Sequence, residues 1–156
     1  MNIDILVATT SGNTEYLADQ IAEQLQQAGF TTSLHYEPDY SDLLEALRQS
    51  TEETFWLCCV ASHGAGEYAD SMLDFAEQIH AEKPQLDELN FAVIAVGDSC
   101  YDTFCSAGRD CDALLDKLHA KRAVEHLEID MATEDPEEKA AEWLPKLITW
   151  LNNKQS

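Results

Sequence analysis

The sequence predicts a doubly wound α/β fold with a five-stranded parallel sheet in the order 2-1-3-4-5. Short apolar runs alternate with segments of helical period along all 156 residues. Such alternation is typical of parallel strands that helices cover on both faces. No internal repeat or linker-like segment divides the chain, and its length suits one domain over residues 1–156.

The first half of the chain opens with an almost wholly apolar run, residues 3–8, which predicts a buried strand. Leu17, Ile21 and Leu25 then recur every four residues, which predicts a helix that ends at Gly29. Residues 31–36 alternate polar and apolar side chains, as a half-exposed strand does. Residues 43–47 predict a short second helix, and the apolar run 55–61 predicts a buried third strand.

The second half continues the alternation. Residues 72–79 predict a third helix, residues 91–96 a buried fourth strand and residues 111–118 a fourth helix. Residues 124–130 alternate, so they predict a half-exposed fifth strand. The last helix is predicted from Pro136 to about residue 151, with Pro145 kinking or splitting it. The half-exposed strands two and five therefore take the edges of the sheet, which gives the order 2-1-3-4-5.

The composition is strongly acidic, with 30 Asp and Glu against 9 Lys and Arg, a net charge of −21. Such a charge disfavours binding to nucleic acid or to an anionic membrane. No apolar run reaches the roughly 18 residues of a membrane span, and no signal peptide opens the chain. Five cysteines without a CxxC pair indicate free thiols in a reducing compartment. We therefore expect a cytoplasmic protein, and we expect it to be a monomer.

In this strand order, ligands bind beyond the carboxyl ends of the strands, near the switch between strands one and three. The loop after strand one carries Thr9, Thr10, Ser11, Gly12, Asn13 and Thr14. Each residue type is an ordinary helix cap, but six in succession at this place indicate an anion site at the helix start. The loop has no Walker lysine and the first basic residue is Arg48, so a nucleotide-hydrolysing P-loop enzyme is excluded. A phosphate monoester that does not react fits instead.

The loop after strand three carries Ala61, Ser62, His63, Gly64, Ala65 and Gly66. A GxGxxG/A pattern begins at Gly64, but it is accidental because it does not open the first βαβ unit. The simpler interpretation is a flexible stretch where backbone approaches a ligand closely. His63 has no other metal ligand at a suitable spacing, so it is a capping or packing residue or a flat ring beside a planar ligand.

The loop after strand four carries Gly97, Asp98, Tyr101, Phe104 and Cys105. Tyr101 either packs under an ordinary turn or stacks on a planar ring, and stacking adds about 0.5–1.5 kcal/mol beyond area burial. The acidic residues beside Tyr101 repel a second phosphate, so they favour a neutral ring system.

The three loops, in this order, resemble those of flavodoxins. Residues 10–15 resemble the phosphate loop, residues 97–105 the flavin loop, and residues 62–66 the middle loop of MioC-type short flavodoxins. The resemblance covers essentially the whole chain and implies a flavodoxin-like three-layer sandwich with FMN bound without a covalent bond. It implies that residues 9–14 hold the phosphate and that residues 62–66 and 97–105 enclose the isoalloxazine ring, with Ala61 also at the cofactor site.

The resemblance also implies roles for single residues. Tyr101 would stack on the outer face of the ring, and the backbone at Gly64 would bond to flavin N5. One departure is His63, which stands where many flavodoxins place a tryptophan. An imidazole there would weaken the stack and make the flavin potentials depend on pH.

By the same resemblance, we expect a low-potential one-electron carrier that cycles between semiquinone and hydroquinone FMN and has no substrate of its own. Its electrons would come from a basic, NADPH-dependent flavoprotein reductase and go to an unidentified redox acceptor. The alternative is a MioC-type FMN-binding module that acts on one dedicated partner.

Three other classes fit the residues less well. A response-regulator receiver needs an Asp after strand three and a Lys after strand five, where this chain has Ala61, Ser62 and Asp130. A cysteine phosphatase needs a CxxxxxR loop, and Cys105 precedes Arg109 by four residues only. A flavin-dependent quinone or nitro reductase needs more wall for a substrate pocket than 156 residues supply.

Overall fold

The computed structural model describes residues 2–9, 13–63, 67–98 and 105–155, and of residues 13, 63, 67, 70 and 155 the backbone only. The strands are β1 (Asn2–Ala8), β2 (Thr31–His35), β3 (Thr54–His63), β4 (Glu67–Tyr68), β5 (Leu89–Gly97), β6 (Lys121–Arg122) and β7 (Leu127–Asp130). The helices are α1 (Asn13–Gln27), α2 (Tyr40–Gln49), α3 (Leu73–Glu82), α4 (Ser106–Lys117) and α5 (Pro136–Gln155), and a 3-10 helix spans Asp70–Met72. None of these helices is both long and apolar enough to cross a membrane.

Parallel pairing gives the sheet the order β2-β1-β3-β5, and both β6 and β7 pair with the outer edge of β5. With β5 as the fourth predicted strand and β6 and β7 together as the fifth, this confirms the order 2-1-3-4-5. The apolar strands lie in the centre because both of their faces meet helices. The alternating strands lie at the edges, where one side of each strand has no neighbouring strand.

Two hydrophobic cores lie on opposite faces of this sheet, because successive side chains of a strand point to opposite sides. Leu6, Trp56 and Val93 pack against α2, α3 and α4 on one face. On the other face, Leu57 and Ile94 pack against α1 and α5. The molecule is therefore a three-layer sandwich, as predicted.

The prediction of a fifth strand over residues 124–130 is wrong for residues 124–126, because β7 begins only at Leu127. β6 pairs with β5 up to Phe91↔Arg122, and β7 resumes the pairing at Ile94↔Leu127. The Ala123 N–H still donates to the Phe91 carbonyl at 2.8 Å, and residues 124–126 then leave the ladder. The Trp143 Nε1 donates to the Glu125 carbonyl at 2.9 Å and fixes the position of this segment. Alternation cannot reveal the break, because a contact from α5 fixes it.

Two further details were not foreseen. β4 pairs antiparallel with the end of β3, Ser62↔Tyr68 and His63↔Glu67, so the two strands bracket residues 64–66 as a hairpin. Pro145 does not split the last helix, since α5 runs without a break from Pro136 to Gln155. Pro145 is exposed, so its ring projects into solvent and leaves the buried face of α5 intact.

Candidate functional site

Three neighbouring strands end side by side at one edge of the sheet. β1 ends at Ala8, which is opposite Val60 of β3, and Ala61 of β3 is opposite Val96 of β5. The segments that follow these strands are the three loops singled out in the sequence. The fold therefore brings the three loops to one edge, where parallel α/β sheets bind ligands.

The first loop leads directly into α1, which begins at Asn13. Thr14, in the first turn, is only 4% exposed although its side chain is polar. The first N–H groups of a helix have no partner within the helix, and the helix dipole favours an anion there. This end of α1 therefore suits a phosphate, and it offers amides and hydroxyls rather than cations.

Ser71, in the 3-10 helix, is a site residue that the sequence analysis missed. Its Oγ accepts a hydrogen bond from the Thr9 N–H at 2.9 Å and donates to the Val7 carbonyl at 2.9 Å. The bonds join the end of β1 to the segment that follows the middle loop. Nothing in the residues around Ser71 could have signalled this role, because its partners lie more than 60 residues earlier.

Ser62 makes a similar connection, between the middle loop and the helix that follows the third loop. Its Oγ accepts from the Ala107 N–H at 3.0 Å. Ala107 is in the first turn of α4, whose N-cap residue Cys105 makes no side-chain capping bond. A hydroxyl from the end of β3 thus caps a helix from a distant part of the chain.

Gly97 and Cys105 lie at the two ends of the third loop, against each other. A Cβ at Gly97 would lie 2.6 Å from the Cys105 backbone nitrogen, so only glycine fits there. Cys105 has the left-handed φ of +55° and a fully buried side chain. Its thiol faces the Ala95 carbonyl at 3.5 Å, and burial raises its pKa to about 12. This cysteine is therefore a packed, unreactive thiol that closes the base of the loop.

Two further predicted site residues, Ala61 and Asp98, lie in the described part of the chain. Ala61 is half-buried beneath the edge and contacts both cores, and Asp98 is half-buried directly after β5. Eight predicted residues lie outside the described part of the chain: Thr10, Ser11, Gly12, Gly64, Ala65, Gly66, Tyr101 and Phe104. For Asn13 and His63 only the backbone is described.

Acidic residues surround this edge. A cleft of about 460 Å³ beside Thr9 and Ser71 is lined by Glu37, Asp39 and Asp74. Three carboxylates would repel a phosphate, so the cleft itself is not the anion site. Within the described residues, no group of three or more His, Cys, Asp and Glu side chains could hold a metal ion.

A chain of charged side chains runs along the outer side of α4 and was also missed. Arg109 binds Glu128 of β7 through two bonds of 2.8 and 2.7 Å, and Glu128 lies 2.7 Å from the His126 Nε2. The His126 Nδ1 lies 3.5 Å from Asp112, which Arg122 binds at 3.0 and 2.9 Å. These bonds fasten α4 to both β6 and β7, and so support the helix that follows the third loop.

Comparison with known proteins gives consistent matches. A family model described as Flavodoxin matches residues 5–143. The protein MioC homolog of Pasteurella multocida is 37% identical over 150 residues, which cover 96% of this chain and 97% of that protein. The NADPH sulfite reductase flavoprotein alpha-component of Bacillus subtilis is 34% identical over 151 residues, 96% of this chain but only 24% of that protein.

The fold comparison agrees with these sequence matches. A cysteine-to-alanine mutant of flavodoxin from Pseudomonas aeruginosa superposes with a TM-score of 0.85 at 26% identity. The superposition covers 97% of this chain and 99% of that one. The likeness thus extends over nearly the whole chain in both sequence and structure.

Proposed function

The chain belongs to the flavodoxin family, and we propose that it carries single electrons on a bound FMN between a reductase and an acceptor protein. The observation that carries this proposal is the convergence of β1, β3 and β5, each followed by a predicted FMN loop, at one edge of the sheet. When bound, FMN supplies the redox chemistry, since it gains and loses electrons one at a time. The chain holds the cofactor and tunes its environment.

The described residues fit the phosphate end of FMN. The start of α1 offers backbone N–H groups that have no partner within the helix, beside the buried Thr14, and no basic residue is nearer in sequence than Arg48. In this proposal residues 10–14 bind the phosphate. The Thr9 N–H takes no part, because it is already bonded to Ser71.

For the ring, we propose the two segments that follow β3 and β5. Ala61 to Gly66 would line one side and Gly97 to Cys105 the other, with His63, Tyr101 and Phe104 as the flat side chains. The bond from Ala107 to Ser62 supports this arrangement, because it joins the start of the first segment to the helix turn that directly follows the second. Asp98 would add negative charge near the ring and disfavour the fully reduced anion, which lowers the potential.

The acidic edge supports docking to basic partners. Three large apolar side chains of the described residues are well exposed, namely Tyr16 at 58%, Leu73 at 39% and Met131 at 36%. All three follow carboxyl ends of strands, so they lie on the same edge as the loops. Exposed apolar groups among acids suit a partner that presents apolar and basic side chains. The likeness to an NADPH sulfite reductase flavoprotein makes an NADPH-dependent flavoprotein reductase the donor of choice.

FMN uptake tests the proposal directly. Purified protein, stripped of flavin, is titrated with FMN, and we expect one equivalent to bind with loss of flavin fluorescence. Photoreduction of the complex should then proceed in two one-electron stages by absorption. A folded protein that takes up no FMN would overturn the proposed function.

The match to MioC homologs along the whole chain favours a second candidate, an FMN-binding module with one dedicated partner. Mixing the photoreduced protein with cytochrome c, a basic one-electron acceptor, separates the two. A general carrier reduces cytochrome c in solution at a rate proportional to its concentration. A module restricted to one partner leaves cytochrome c oxidised.

A further inference from the structure

Through a single hydroxyl, Ser71 joins the start of the first loop of the proposed FMN site to the 3-10 helix that follows the middle loop. Its Oγ accepts from the Thr9 N–H and donates to the Val7 carbonyl, each at 2.9 Å. A serine hydroxyl has one proton to donate, and here that proton and one acceptor position are both used on the backbone of β1. Ser71 therefore fixes the backbone of residues 7–9, directly before residues 10–14.

The Ser71 hydroxyl takes the place that the next residues of β2 would occupy if β2 were longer. β2 pairs with β1 only as far as Leu6↔His35. In a parallel ladder, one residue of a neighbouring strand donates to one carbonyl and accepts from the N–H two residues later. Ser71 makes the same two bonds to Val7 and Thr9, so it continues the pairing of β1 beyond the end of β2.

The segment that carries Ser71 is bonded to β3 through Ala69. The Ala69 N–H donates to the Ala61 carbonyl at 3.3 Å, and the Met72 N–H donates to the Ala69 carbonyl at 3.0 Å. These bonds continue from the β3–β4 hairpin, in which Tyr68 is opposite Ser62. The segment that follows β4 therefore holds, through Ser71, the backbone at the end of β1.

We propose that Ser71 is a positioning residue for phosphate recognition. It does not touch the phosphate; it fixes the backbone at Thr9, directly before the proposed phosphate segment, residues 10–14, and so sets the point from which that segment begins. This inference rests on the proposed function, because it concerns the same FMN site. It predicts that loss of the hydroxyl weakens binding of FMN but not of riboflavin, which has the same ring and no phosphate.

The test compares two ligands and four proteins. Dissociation constants of FMN and riboflavin are measured by flavin fluorescence on flavin-free wild type and on Ser71→Ala, Ser71→Thr and Ser50→Ala. Ser71→Ala leaves two backbone groups without their partner, so we expect a roughly tenfold loss for FMN. Riboflavin affinity should stay within about twofold, and Ser71→Thr should restore FMN affinity because it keeps the hydroxyl.

Ser50 is the matched control. Its hydroxyl also makes a donor and an acceptor bond, to the Glu52 carbonyl at 2.8 Å and from the Glu52 N–H at 3.2 Å, but at a turn between α2 and β3 on the opposite edge. Ser50→Ala should leave both affinities unchanged. A second readout is the ³¹P resonance of bound FMN, which Ser71→Ala should shift and Ser50→Ala should not.

The outcomes separate this inference from the proposed function. Equal losses for both flavins in Ser71→Ala, or no loss for FMN, would overturn the role of Ser71 and leave the FMN proposal standing. A wild-type protein that binds no FMN would overturn both. If thermal melting shows that flavin-free Ser71→Ala is unfolded, Ser71→Cys keeps the size of the side chain but bonds weakly, and the same selective loss of FMN is expected.

Discussion

Glu128 is the residue on which the ionic chain along α4 depends. It accepts two bonds from Arg109 of α4 and one from His126, which precedes β7. The hydrogen bond from Arg109, and then that from His126, lowers the pKa of Glu128 from 4.5 to about 2. A carboxyl whose pKa falls on folding stabilises the folded state at every pH above its unfolded value.

Glu128→Gln should therefore lower the free energy of unfolding at pH 7 by about 1 kcal/mol, since the pair is partly open to solvent. The difference from wild type should shrink as the pH falls from about 4.5 towards 2, where wild-type Glu128 also becomes neutral. Urea unfolding at several pH values measures it. Glu125→Gln, at an exposed position, is the matched control. A difference in unfolding free energy between Glu128→Gln and wild type that stays constant or grows in acid would contradict the assignment.

At the site, residue types were predictable and the contacts between loops were not. The run from Thr9 to Thr14 is recognisable because its hydroxyls, amide and glycine are consecutive in the sequence. Ser71 and Ser62 each bond to backbone that lies 45 or more residues away, and isolated serines carry no sign of that. The sequence therefore indicates the residues that would contact a ligand, but not the residues that hold those residues in position.

Among the elements, α4 approaches the sheet most closely at Gly108. A Cβ at Gly108 would lie 2.2 Å from the Ala95 Cβ and 2.7 Å from the Ala95 Cα. Two small residues therefore let the first turn of α4 lie directly on β5. The end of the third loop depends on this contact, because Cys105 precedes that turn.

Gly108→Ala should be destabilising, although alanine is the better helix former by about 1 kcal/mol. The added methyl group must push α4 away from β5, and overpacking of this kind costs about 1–3 kcal/mol. The midpoint of urea unfolding measures the loss. Lys117→Ala, at an exposed position of the same helix, should change stability by less than about 0.5 kcal/mol. A Gly108→Ala protein as stable as wild type would contradict the close contact.

The elements themselves were predicted well where burial determines them. The central strands and the five helices are all present, because long apolar runs and four-residue spacings follow directly from which faces are covered. The prediction of the fifth strand failed because contacts from other elements separate β6 from β7. These contacts are the Trp143 bond from α5 and the Asp112 bonds from α4. β4 was missed because two residues are too few to show a period.

Across the whole molecule, the two edges of the sheet differ in their balance of charge. Acids follow the carboxyl ends of the strands at Asp39, Asp74, Asp98 and Asp130. At the other edge, where helices end and strands begin, cations offset acids such as Glu53, Glu82 and Glu88; these cations are Arg48, Lys83, Lys117, Lys121 and Arg122. A basic protein is therefore attracted to the edge that carries the proposed FMN site.

Electron transfer to cytochrome c should consequently slow as salt is added. Between 10 and 500 mM ionic strength the Debye length falls from about 30 Å to a few Å, so we expect at least a tenfold decrease in the second-order rate constant. Stopped-flow absorption of the photoreduced protein measures it. A neutral quinone acceptor is the control and should show little change. A rate with cytochrome c that is constant or rises with salt would contradict docking by charge.

The early end of β2 has a consequence for how this chain can vary. β2 stops opposite Leu6, two residues before the last residue of β1. A β2 lengthened by an insertion would pair with Val7 and Thr9 itself, and Ser71 would lose both partners. On our proposal, such an insertion would disturb phosphate recognition although it changes no residue near the phosphate. The length of an outermost strand, usually the most tolerant part of a sheet, is therefore under functional constraint here.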